Sequence, residues 1–401
     1  ATQNLTGRYR LTLLVNRPHL GAMEIAIVGG GIAGLASAIA LAGYERRIVI
    51  LERASAIEEH GAGVQLGPNA LRAVRALGVW ERLSPKLFAP AGLQIMDALT
   101  GEPIRRFCFG PKFEARFGAP YCLVHRRDLI EALHDAALAT AGVELLTGRL
   151  VKKLRFEDEA PVLALADGSS MCPQAVIGAD GIGSAIRQSL LEDGLPATHA
   201  CTIYRAMIPR ITATALPSDV VLWLYPGGHV VHYPVAGGQQ MNLVAVAAGG
   251  PAAGDAGCTA DEVLARFPAM SADLRYILGL APAWTRWPAA DRTPANVWGR
   301  AGTTLVGDAA HPMLPYLAQG AAAALVDAVT LGSCTSAEPK ISAAFRHYEA
   351  LRKDHTARLQ RLSRRQGEVY HLEGWRADLR NRALAILPES LFFSRIGWIY
   401  A

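Results

Sequence analysis

The stretch EIAIVGGGIAGLASAIALA, from Glu24 to Ala42, joins a short apolar run, a glycine-rich turn and a run of small, helix-favouring residues. The turn contains a GxGxxG pattern formed by Gly29, Gly31 and Gly34. A second, almost fully apolar segment, RRIVILER, ends with Glu52 and Arg53 and is typical of a buried parallel strand. Glycines in such a βαβ unit let the backbone approach a pyrophosphate, and the acid accepts hydrogen bonds from ribose hydroxyls. The segment therefore predicts a site for FAD or NAD.

The composition bounds the remaining possibilities. The chain has 401 residues, of which 51% are hydrophobic, enough for one large or two ordinary domains. Its net charge of +5 comes from basic residues spread along the chain, which disfavours nucleic-acid binding. No apolar run reaches the roughly 18 residues of a membrane span. The six cysteines form no CxxC or metal spacing, so we expect a cytoplasmic protein with free thiols and no metal.

The residue pattern changes along the chain. Residues 1–22 contain three arginines and no acid, and we expect an N-terminal extension without a functional role. Helices are predicted over residues 69–77, 128–140 and 183–191. Alternating β-branched and aromatic residues from Thr202 to Ala247 predict antiparallel strands joined by glycine turns. The segment TTLVGD returns to a buried strand, and the last sixty residues look helical.

Three further motifs occur in a defined order: VHRRDL before a helix, IGADGIGSAIR from Ile177 to Arg187, and GDAAHPMLPYLAQG from Gly307 to Gly320. Together with GxGxxG, this set resembles the single-component FAD-dependent aromatic hydroxylases, in particular the salicylate, hydroxybenzoate and 6-hydroxynicotinate hydroxylase branch. The resemblance extends from Met23 to the C-terminus. It implies an α/β fold with a Rossmann-like FAD-binding domain, a mixed or antiparallel substrate-binding sheet and C-terminal helices.

The resemblance also implies a division into domains. The FAD-binding domain would be discontinuous and comprise residues 23–95, 123–190 and 300–335. The substrate-binding domain would comprise residues 96–122 and 191–299, and residues 336–401 would form a C-terminal helical region. Oligomeric state is left open between monomer and homodimer.

The family's cofactor contacts can be placed on this chain. The glycines and Glu52 would hold the FAD adenosine, Asp180 would lie near both FAD and the pyridine nucleotide, and Asp308 would bind the ribitol. Backbone N–H groups of the helix that begins near Gly320 would face the flavin N1–O2 edge, where the helix dipole favours negative charge. The full expected set is Gly29, Gly31, Gly34, Glu52, Arg53, Gly63, Gln65, Arg126, Asp180, Asp308, Pro315, Gly320 and Ala321.

The implied reaction uses NADH or NADPH and O₂ to hydroxylate a small phenolic aromatic acid or hydroxylated N-heterocycle through a flavin C4a-hydroperoxide. Because the chain shows one dinucleotide fingerprint, NAD(P)H would bind transiently as a co-substrate. Two alternatives remain open. One is a related flavoprotein that epoxidises or reduces a larger apolar substrate. The other is a non-catalytic flavin-binding module.

The segment GHVVHYPV carries the candidate catalytic residues. On a strand, His229 and Tyr233 share one face and lie roughly 13 Å apart, at ~3.3 Å per residue, so that they could bracket a small aromatic. The resembled branch has a similar His–x–x–x–Tyr, which suggests His229 as the base and Tyr233 as an orienting donor. The alternative is two ordinary sheet residues with satisfied hydrogen bonds. His232 should face away from them.

The acid and the imidazole in GDAAHPMLPYLAQG could be read as an acid–base pair or as a cofactor cradle. The surrounding motifs favour the cradle and a structural or flavin-proximal role for His311. Two departures from the family pattern concern this region. Pro315 stands where the 3-hydroxybenzoate branch tends to have Gln, which favours a salicylate-type enzyme, and GAAAALVDA replaces a more polar helix start. Arg205 could meet a substrate carboxylate, although a structural salt bridge is favoured.

Overall fold

The computed structural model describes residues 23–43, 46–57, 62–213, 216–249 and 256–401. The predicted extension at residues 1–22 lies outside these ranges. The strands are β1 (Met23–Val28), β2 (Arg46–Leu51), β3 (Gly63–Leu66), β4 (Gly92–Asp97), β5 (Pro103–Cys108), β6 (Cys122–His125), β7 (Val143–Leu146), β8 (Val151–Glu157), β9 (Ala160–Leu165), β10 (Ser170–Met171), β11 (Ala175–Gly178), β12 (Ala197–Pro209), β13 (Val220–Tyr225), β14 (Gly228–Val235), β15 (Gln240–Ala248), β16 (Ala256–Thr259), β17 (Ala283–Asp291) and β18 (Thr303–Leu305). The helices are α1 (Ile32–Leu41), α2 (Pro68–Ala76), α3 (Trp80–Leu83), α4 (Pro111–Phe117), α5 (Arg126–Leu138), α6 (Ala185–Leu191), α7 (Ala260–Leu264), α8 (Ala272–Gly279), α9 (Gly320–Ala337), α10 (Ile341–Tyr370), α11 (Gly374–Ala385) and α12 (Glu389–Ile396).

The predicted βαβ unit forms the centre of a parallel sheet with the order β18-β11-β1-β2-β7. β1 pairs in parallel with both β2 and β11, as expected for a strand that is buried on both faces. The turn into α1 requires glycine at two positions. Gly29 has a φ of +111°, and a Cβ at Gly34 would lie 1.9 Å from the carbonyl oxygen of Gly29.

The second large sheet has the order β16-β17-β12-β15-β14-β13-β4-β5 and is mostly antiparallel, with a parallel β13–β4 pair. The α/β fold class with mixed sheets is therefore confirmed. The predicted boundary between residues 95 and 96 falls inside β4, whose whole length pairs with β13 and β5. That boundary therefore has to move to before Gly92, while the division into domains as a whole stays a prediction.

Several predicted elements differ at their ends because of local capping. α5 begins at Arg126, since the His125 side chain accepts a hydrogen bond from the Arg127 backbone and caps the helix. α6 begins at Ala185, after the Ser184 cap. The strand predicted over TTLVGD ends at Leu305, and Gly307 turns the chain at a φ of +58° into a short 3₁₀ turn that contains Asp308.

The C-terminal segment is helical, as predicted. α10 packs against α9, which in turn packs against α1, so the long helices cover one side of the parallel sheet. The apolar tail packs onto β5, where Phe392 stacks on Phe107 at 3.9 Å between ring centroids. By length and composition alone, α9 could cross a membrane, but 56% of this helix is buried inside the protein, which is also typical of a core helix.

Candidate active site

A continuous groove crosses the molecule from the end of β1 to the buried face of β14. It consists of three adjoining cavities of about 410, 350 and 180 Å³. The first two share Gly31 and Arg126, and the second and third share Gln65, His229 and Pro315. An elongated ligand can therefore extend from the parallel sheet to the antiparallel sheet without a break.

The first cavity, at the parallel sheet, has the features of a dinucleotide site. Glu52 accepts hydrogen bonds from the Gly30 backbone at 2.7 Å and from the Ala54 backbone at 2.9 Å, which fixes its carboxylate beside the turn. Arg53 lines the same cavity. A Cβ placed on Gly31 would meet nothing within 4 Å, and no side chain caps the N-terminus of α1. Open space at an uncapped helix N-terminus fits a pyrophosphate.

Asp180 also lines this cavity, but its carboxylate has a structural task that the motif did not reveal. It accepts hydrogen bonds from the Ser184 hydroxyl and from the backbones of Ala185 at 2.7 Å and Ile186 at 3.2 Å. These contacts satisfy the first amides of α6. Burial raises the pKa of Asp180, and the hydrogen bonds oppose that rise.

The middle cavity brings together the second set of expected cofactor residues. Asp308 is exposed to the groove, and its Oδ1 lies 4.0 Å from the point where a Cβ would sit on Gly320. Gln319 occupies the N-cap position of α9 but leaves the helix uncapped, because its Oε1 accepts a hydrogen bond from Asn69 at 3.0 Å. The first amides of α9, at Gly320 and Ala321, therefore face the groove. Desolvation by the walls raises the pKa of Asp308, and His311 and Arg126 oppose that rise.

The antiparallel sheet supplies the opposite wall. His229, Val231 and Tyr233 line the middle cavity, whereas His232 is fully buried on the other face near Trp223. The predicted alternation along β14 is confirmed. The expected site residues Gly29, Gly31, Gly34, Glu52, Arg53, Gly63, Gln65, Arg126, Asp180, Asp308, Pro315, Gly320, Ala321, His229 and Tyr233 thus all lie on or at this groove or form its glycine turn.

Close packing explains why β3 begins with glycine. A Cβ on Gly63 would lie 2.5 Å from the Tyr233 ring and 2.8 Å from the Asn242 side chain. Gln65, two residues later, accepts a hydrogen bond from the Tyr121 hydroxyl at 2.7 Å and also interacts with the Tyr233 hydroxyl. β3 is thereby held against the candidate catalytic strand.

Three residues beside His229 were missed by the sequence analysis. The Nδ1 atom of His229 lies 2.9 Å from the Nε2 atom of His371, which follows the last turn of α10. The rings of Tyr316 and Tyr370 contact His229 at centroid distances of 5.4 and 5.1 Å. Burial, and secondarily His371, holds the pKa of His229 well below its ordinary value. His229 is therefore neutral at physiological pH.

His311 belongs to a different network. Its Nε2 atom lies 2.5 Å from Oδ2 of Asp327, which also accepts hydrogen bonds from the Arg352 side chain at 2.7 Å and the Gly307 backbone at 3.0 Å. All three side chains are buried. This arrangement ties the loop that carries Asp308 to α9 and α10, so the structural reading of His311 accounts for its contacts.

Arg205 lines the middle cavity, and its guanidinium lies 4.6 Å from the centroid of the Trp287 ring. The expectation of a structural salt bridge for Arg205 stays a prediction.

Comparison with known proteins identifies the family. The FAD binding domain family matches residues 22–363. A 3-hydroxybenzoate 6-hydroxylase from Klebsiella oxytoca is 38% identical over 94% of this chain and 96% of its own length. A 6-hydroxynicotinate 3-monooxygenase from Bordetella bronchiseptica is 32% identical over 86% of this chain and 91% of its own length. The chain belongs to the FAD-dependent aromatic hydroxylases.

A solved structure described as a salicylate hydroxylase substrate complex agrees with this assignment, with a TM-score of 0.79, 25% identity and 95% coverage of both chains. The predicted cofactor FAD is confirmed, as is the prediction of an enzyme, which removes the non-catalytic flavin-binding alternative. The inference from Pro315 that 3-hydroxybenzoate is disfavoured stays a prediction.

Proposed function

We propose that this hydroxylase acts on a monocyclic phenolic carboxylate, with 3-hydroxybenzoate as the first candidate. The observation that carries the proposal is the path of the groove, which leads from the uncapped N-terminus of α9 to the buried face of β14 where His229 and Tyr233 lie. The name of the 38% identical relative supports the choice of first candidate.

His229 is proposed as the base for the phenol. Its Nδ1 atom is engaged by His371, so Nε2 is the other ring nitrogen and the one available to a ligand in the cavity. A neutral imidazole can accept a proton at that atom, and removal of the phenolic proton makes the ring a better nucleophile. His229 would thus increase the reactivity of the substrate.

Tyr233 is proposed as an orienting donor. Burial raises its pKa to about 12, so its hydroxyl stays protonated and can donate a hydrogen bond. Its interaction with Gln65, which is itself bound to Tyr121, fixes the direction of that hydroxyl. Arg205 supplies positive charge on the same wall, and of its two sequence-based readings the contact with the substrate carboxylate is the one proposed here.

The cofactor set is proposed as the sequence predicts it. The glycine turn, Glu52, Arg53 and Arg126 would hold the adenine dinucleotide half, and Asp308 the ribitol. The amides at Gly320 and Ala321 and the backbone around Gly63, Gln65 and Pro315 would surround the flavin ring. When bound, FAD supplies the redox chemistry that activates O₂ at the expense of NADH or NADPH. The apolar residues beside it, including Val231, Val244 and Met313, exclude water from that chemistry.

The decisive experiment measures NADH and NADPH oxidation by the FAD-bound protein with a panel of ligands, together with mass spectrometry of the products. The panel contains 3-hydroxybenzoate, salicylate, 6-hydroxynicotinate and 3-amino-4-hydroxybenzoate. We expect 3-hydroxybenzoate to give the largest stimulation and a product heavier by one oxygen atom. Stimulation without oxygen incorporation, or a better response to salicylate, would contradict the proposed substrate. A cytoplasmic location and a monomer or homodimer are part of the same proposal.

A larger apolar substrate is a second candidate, favoured by the third cavity. This space of about 180 Å³ continues beyond His229 and is lined mainly by apolar and aromatic side chains, among them Leu93, Phe109 and Leu222. Bicyclic phenols added to the same panel test this candidate. It requires their turnover to exceed that of 3-hydroxybenzoate.

A further inference from the structure

The contact between His229 and His371 joins a buried wall of the cavity to the surface of the protein. His229 is 3% exposed, whereas His371 retains exposed surface. The two rings are nearly parallel, with 5.1 Å between centroids and 26° between planes, and the Nδ1–Nε2 distance of 2.9 Å is that of a hydrogen bond. A continuous line of ring nitrogens therefore extends from the cavity to the surface side of α10.

The position of His371 is set by its backbone and by a neighbouring arginine. Its N–H donates to the Gly367 carbonyl at 3.0 Å, and its carbonyl accepts from the Gly227 backbone at 3.3 Å, directly before β14. The guanidinium of Arg380 donates to the carbonyls of Val369 and Tyr370 at 3.1 and 2.7 Å. The end of α10 is thereby anchored to the strand that carries His229.

Both imidazoles are neutral at physiological pH. Burial, together with the charge of Arg380, lowers the pKa of His371 to about 4. Among the described residues, the phenols of Tyr316 and Tyr370 are the titratable groups in contact with the pair, and the charge of Arg380 acts electrostatically on His371. Such a weakly basic His229 holds a proton poorly, whereas an ordinary phenol has a pKa of about 10. A proton taken from a phenol therefore needs a further acceptor.

A hydrogen bond between two neutral imidazoles couples their tautomers. If His229 donates from Nδ1–H to His371, its Nε2 atom carries no proton and can act as a base in the cavity. If instead His371 donates from Nε2–H, then His229 carries its proton on Nε2 and cannot accept one there. His371 thus decides whether His229 is a base or a donor.

We propose that His371 is a positioning residue that sets the tautomer of His229 and passes the phenolic proton of the substrate to solvent. This inference rests on the proposed role of His229 in hydroxylation.

The transfer balances without any net charge on the histidines. The phenol O–H bond breaks and its proton binds Nε2 of His229, while the Nδ1 proton of His229 moves to Nε2 of His371. His371 in turn loses its Nδ1 proton to water, so one proton has left the phenol and one has reached solvent. Reprotonation of the product runs through the same atoms in reverse and restores both starting tautomers.

The first test needs no substrate. Ring ¹⁵N spectra of the FAD-bound protein, with His229→Asn and His371→Gln used for assignment, report which nitrogens carry protons. We expect both rings to be neutral from pH 5 to pH 8 and to share one proton between Nδ1 of His229 and Nε2 of His371. A charged His371 at pH 7, or a His229 tautomer unchanged in His371→Ala, which removes the hydrogen-bond partner, would overturn the inference.

The second test follows the proton. The FAD-bound protein is mixed rapidly with 3-hydroxybenzoate, and phenolate absorbance and release of a proton to a pH indicator are recorded. We expect His371→Gln and His371→Ala to slow both signals by about tenfold or more, since proton transfer by a positioned group contributes 10²–10⁴-fold and His229 remains. Added imidazole should restore the rate in the alanine variant only, because alanine leaves space for it. Glutamine fills that space and keeps a hydrogen bond, but it cannot pass the proton on.

The matched control is His355→Asn, a half-buried histidine of α10 whose ring lies against Trp398 and whose pKa burial also lowers to about 4. It should leave both signals unchanged. Full rescue by glutamine would indicate a purely structural His371 and overturn the relay. If 3-hydroxybenzoate does not bind the wild-type protein at all, the proposed substrate fails, and the ring ¹⁵N spectra still decide the histidine pair.

Discussion

Two buried histidines meet at the segment from Gly307 to Gly320 and have opposite kinds of partner: His311 lies in this segment, and His229 contacts its Tyr316. His311 is 1% exposed and is paired with the carboxylate of Asp327 at 2.5 Å. His229 is 3% exposed and is paired with another imidazole, that of His371, at 2.9 Å. Burial is the same in both sites, so the partner decides what each histidine can do.

The His311 site is a fixed charge network. Burial raises the pKa of Asp327, but His311 and Arg352 outweigh that effect and bring the pKa to about 2. A carboxylate that stays ionised holds its partners in place, and Asp327 additionally accepts from the Gly307 backbone. The network therefore stabilises the turn that presents Asp308 to the groove.

Among the described residues, the side chains in contact with His229 are the aromatic rings of Tyr316 and Tyr370 and one neutral imidazole, with no carboxylate. A neutral pair can exchange a proton without creating a buried charge, which would be costly. One site thus serves stability and the other is suited to proton transfer, and the variants below separate these two roles.

The largest expected effect is the loss of the fixed network. Asp327→Asn leaves the buried charge of Arg352 without its counter-ion, and removal of one partner of such a pair costs about 3–5 kcal/mol of unfolding free energy. Urea unfolding monitored by fluorescence measures this loss. Because the pKa of Asp327 is lowered from 3.8 to about 2, the wild-type advantage is full above pH 3.8 and disappears as pH falls through 2.

Asp354→Asn is the control, since Asp354 is an exposed acid on α10, the helix that also carries Arg352. It should unfold like the wild type. Equal stability of the two variants would mean that the Asp327 network does not hold the fold together.

The second variant tests the proton-transfer site. His229→Asn should lower kcat for 3-hydroxybenzoate by about 10²–10⁴-fold, because the positioned base is lost. Its FAD content and melting temperature should stay near those of the wild type, in contrast to Asp327→Asn. Steady-state kinetics with an FAD absorbance ratio check both points. His347→Asn, on the exposed side of α10, is the control, and a large loss of stability without a change in kcat would reverse the two roles.

Local sequence patterns were enough to predict the position of His229 in the fold but not its partner. The glycine turn, the parallel strands and the facing of His229 and Tyr233 depend on residues close together in sequence, where periodicity and spacing are informative. The pairing of His229 with His371 depends on how the end of α10 packs against the turn before β14. No periodicity records such a contact, and the sequence around His371 indicates only the end of a predicted helical region.

The same limit applies to the acid of the fixed network. The spacing of Asp308 and His311 left an acid–base pair open as one reading, while the motifs favoured a structural or flavin-proximal His311. The sequence did not indicate that the partner of His311 is Asp327 on α9. The intervening prolines and Gly320 made the turn and the helix start predictable. The sequence did not predict that α9 brings Asp327 back beside His311. The predicted boundary inside β4 failed for a similar reason, because strand pairing across the sheet decides where that strand begins.

The third pair of variants separates a cofactor contact from a structural contact within three residues of the same turn. Asp308→Ala removes a charged acceptor from the groove, and hydrogen bonds to charged groups contribute about 1.5–3 kcal/mol, so the Kd for FAD should rise roughly tenfold to a hundredfold. His311→Asn should instead lower the unfolding free energy and change FAD affinity much less. Fluorescence titration of the apoprotein with FAD measures the first, and urea unfolding the second. The reverse pattern would place the cofactor contact at His311.

The smallest expected effect concerns His232, which is buried on the opposite face of β14 from His229. Neither of its ring nitrogens has a hydrogen-bond partner among the described residues, and a buried unsatisfied polar group costs about 1–3 kcal/mol. His232→Leu should therefore be as stable as the wild type or more stable by about 1 kcal/mol at pH 7, with unchanged turnover.

The pH dependence makes this last prediction specific. Burial, and secondarily Arg210, lowers the pKa of His232 to about 3 from 6.5. Between these values the unfolded chain binds more protons at this position than the folded one, so the wild type loses stability as pH falls below 6.5. The leucine variant lacks that loss, and its advantage should widen from pH 7 to pH 4 in urea unfolding. An advantage that is constant with pH would mean that His232 is protonated in the fold, and slowed turnover would mean that the two faces of β14 are not separated as the structure indicates.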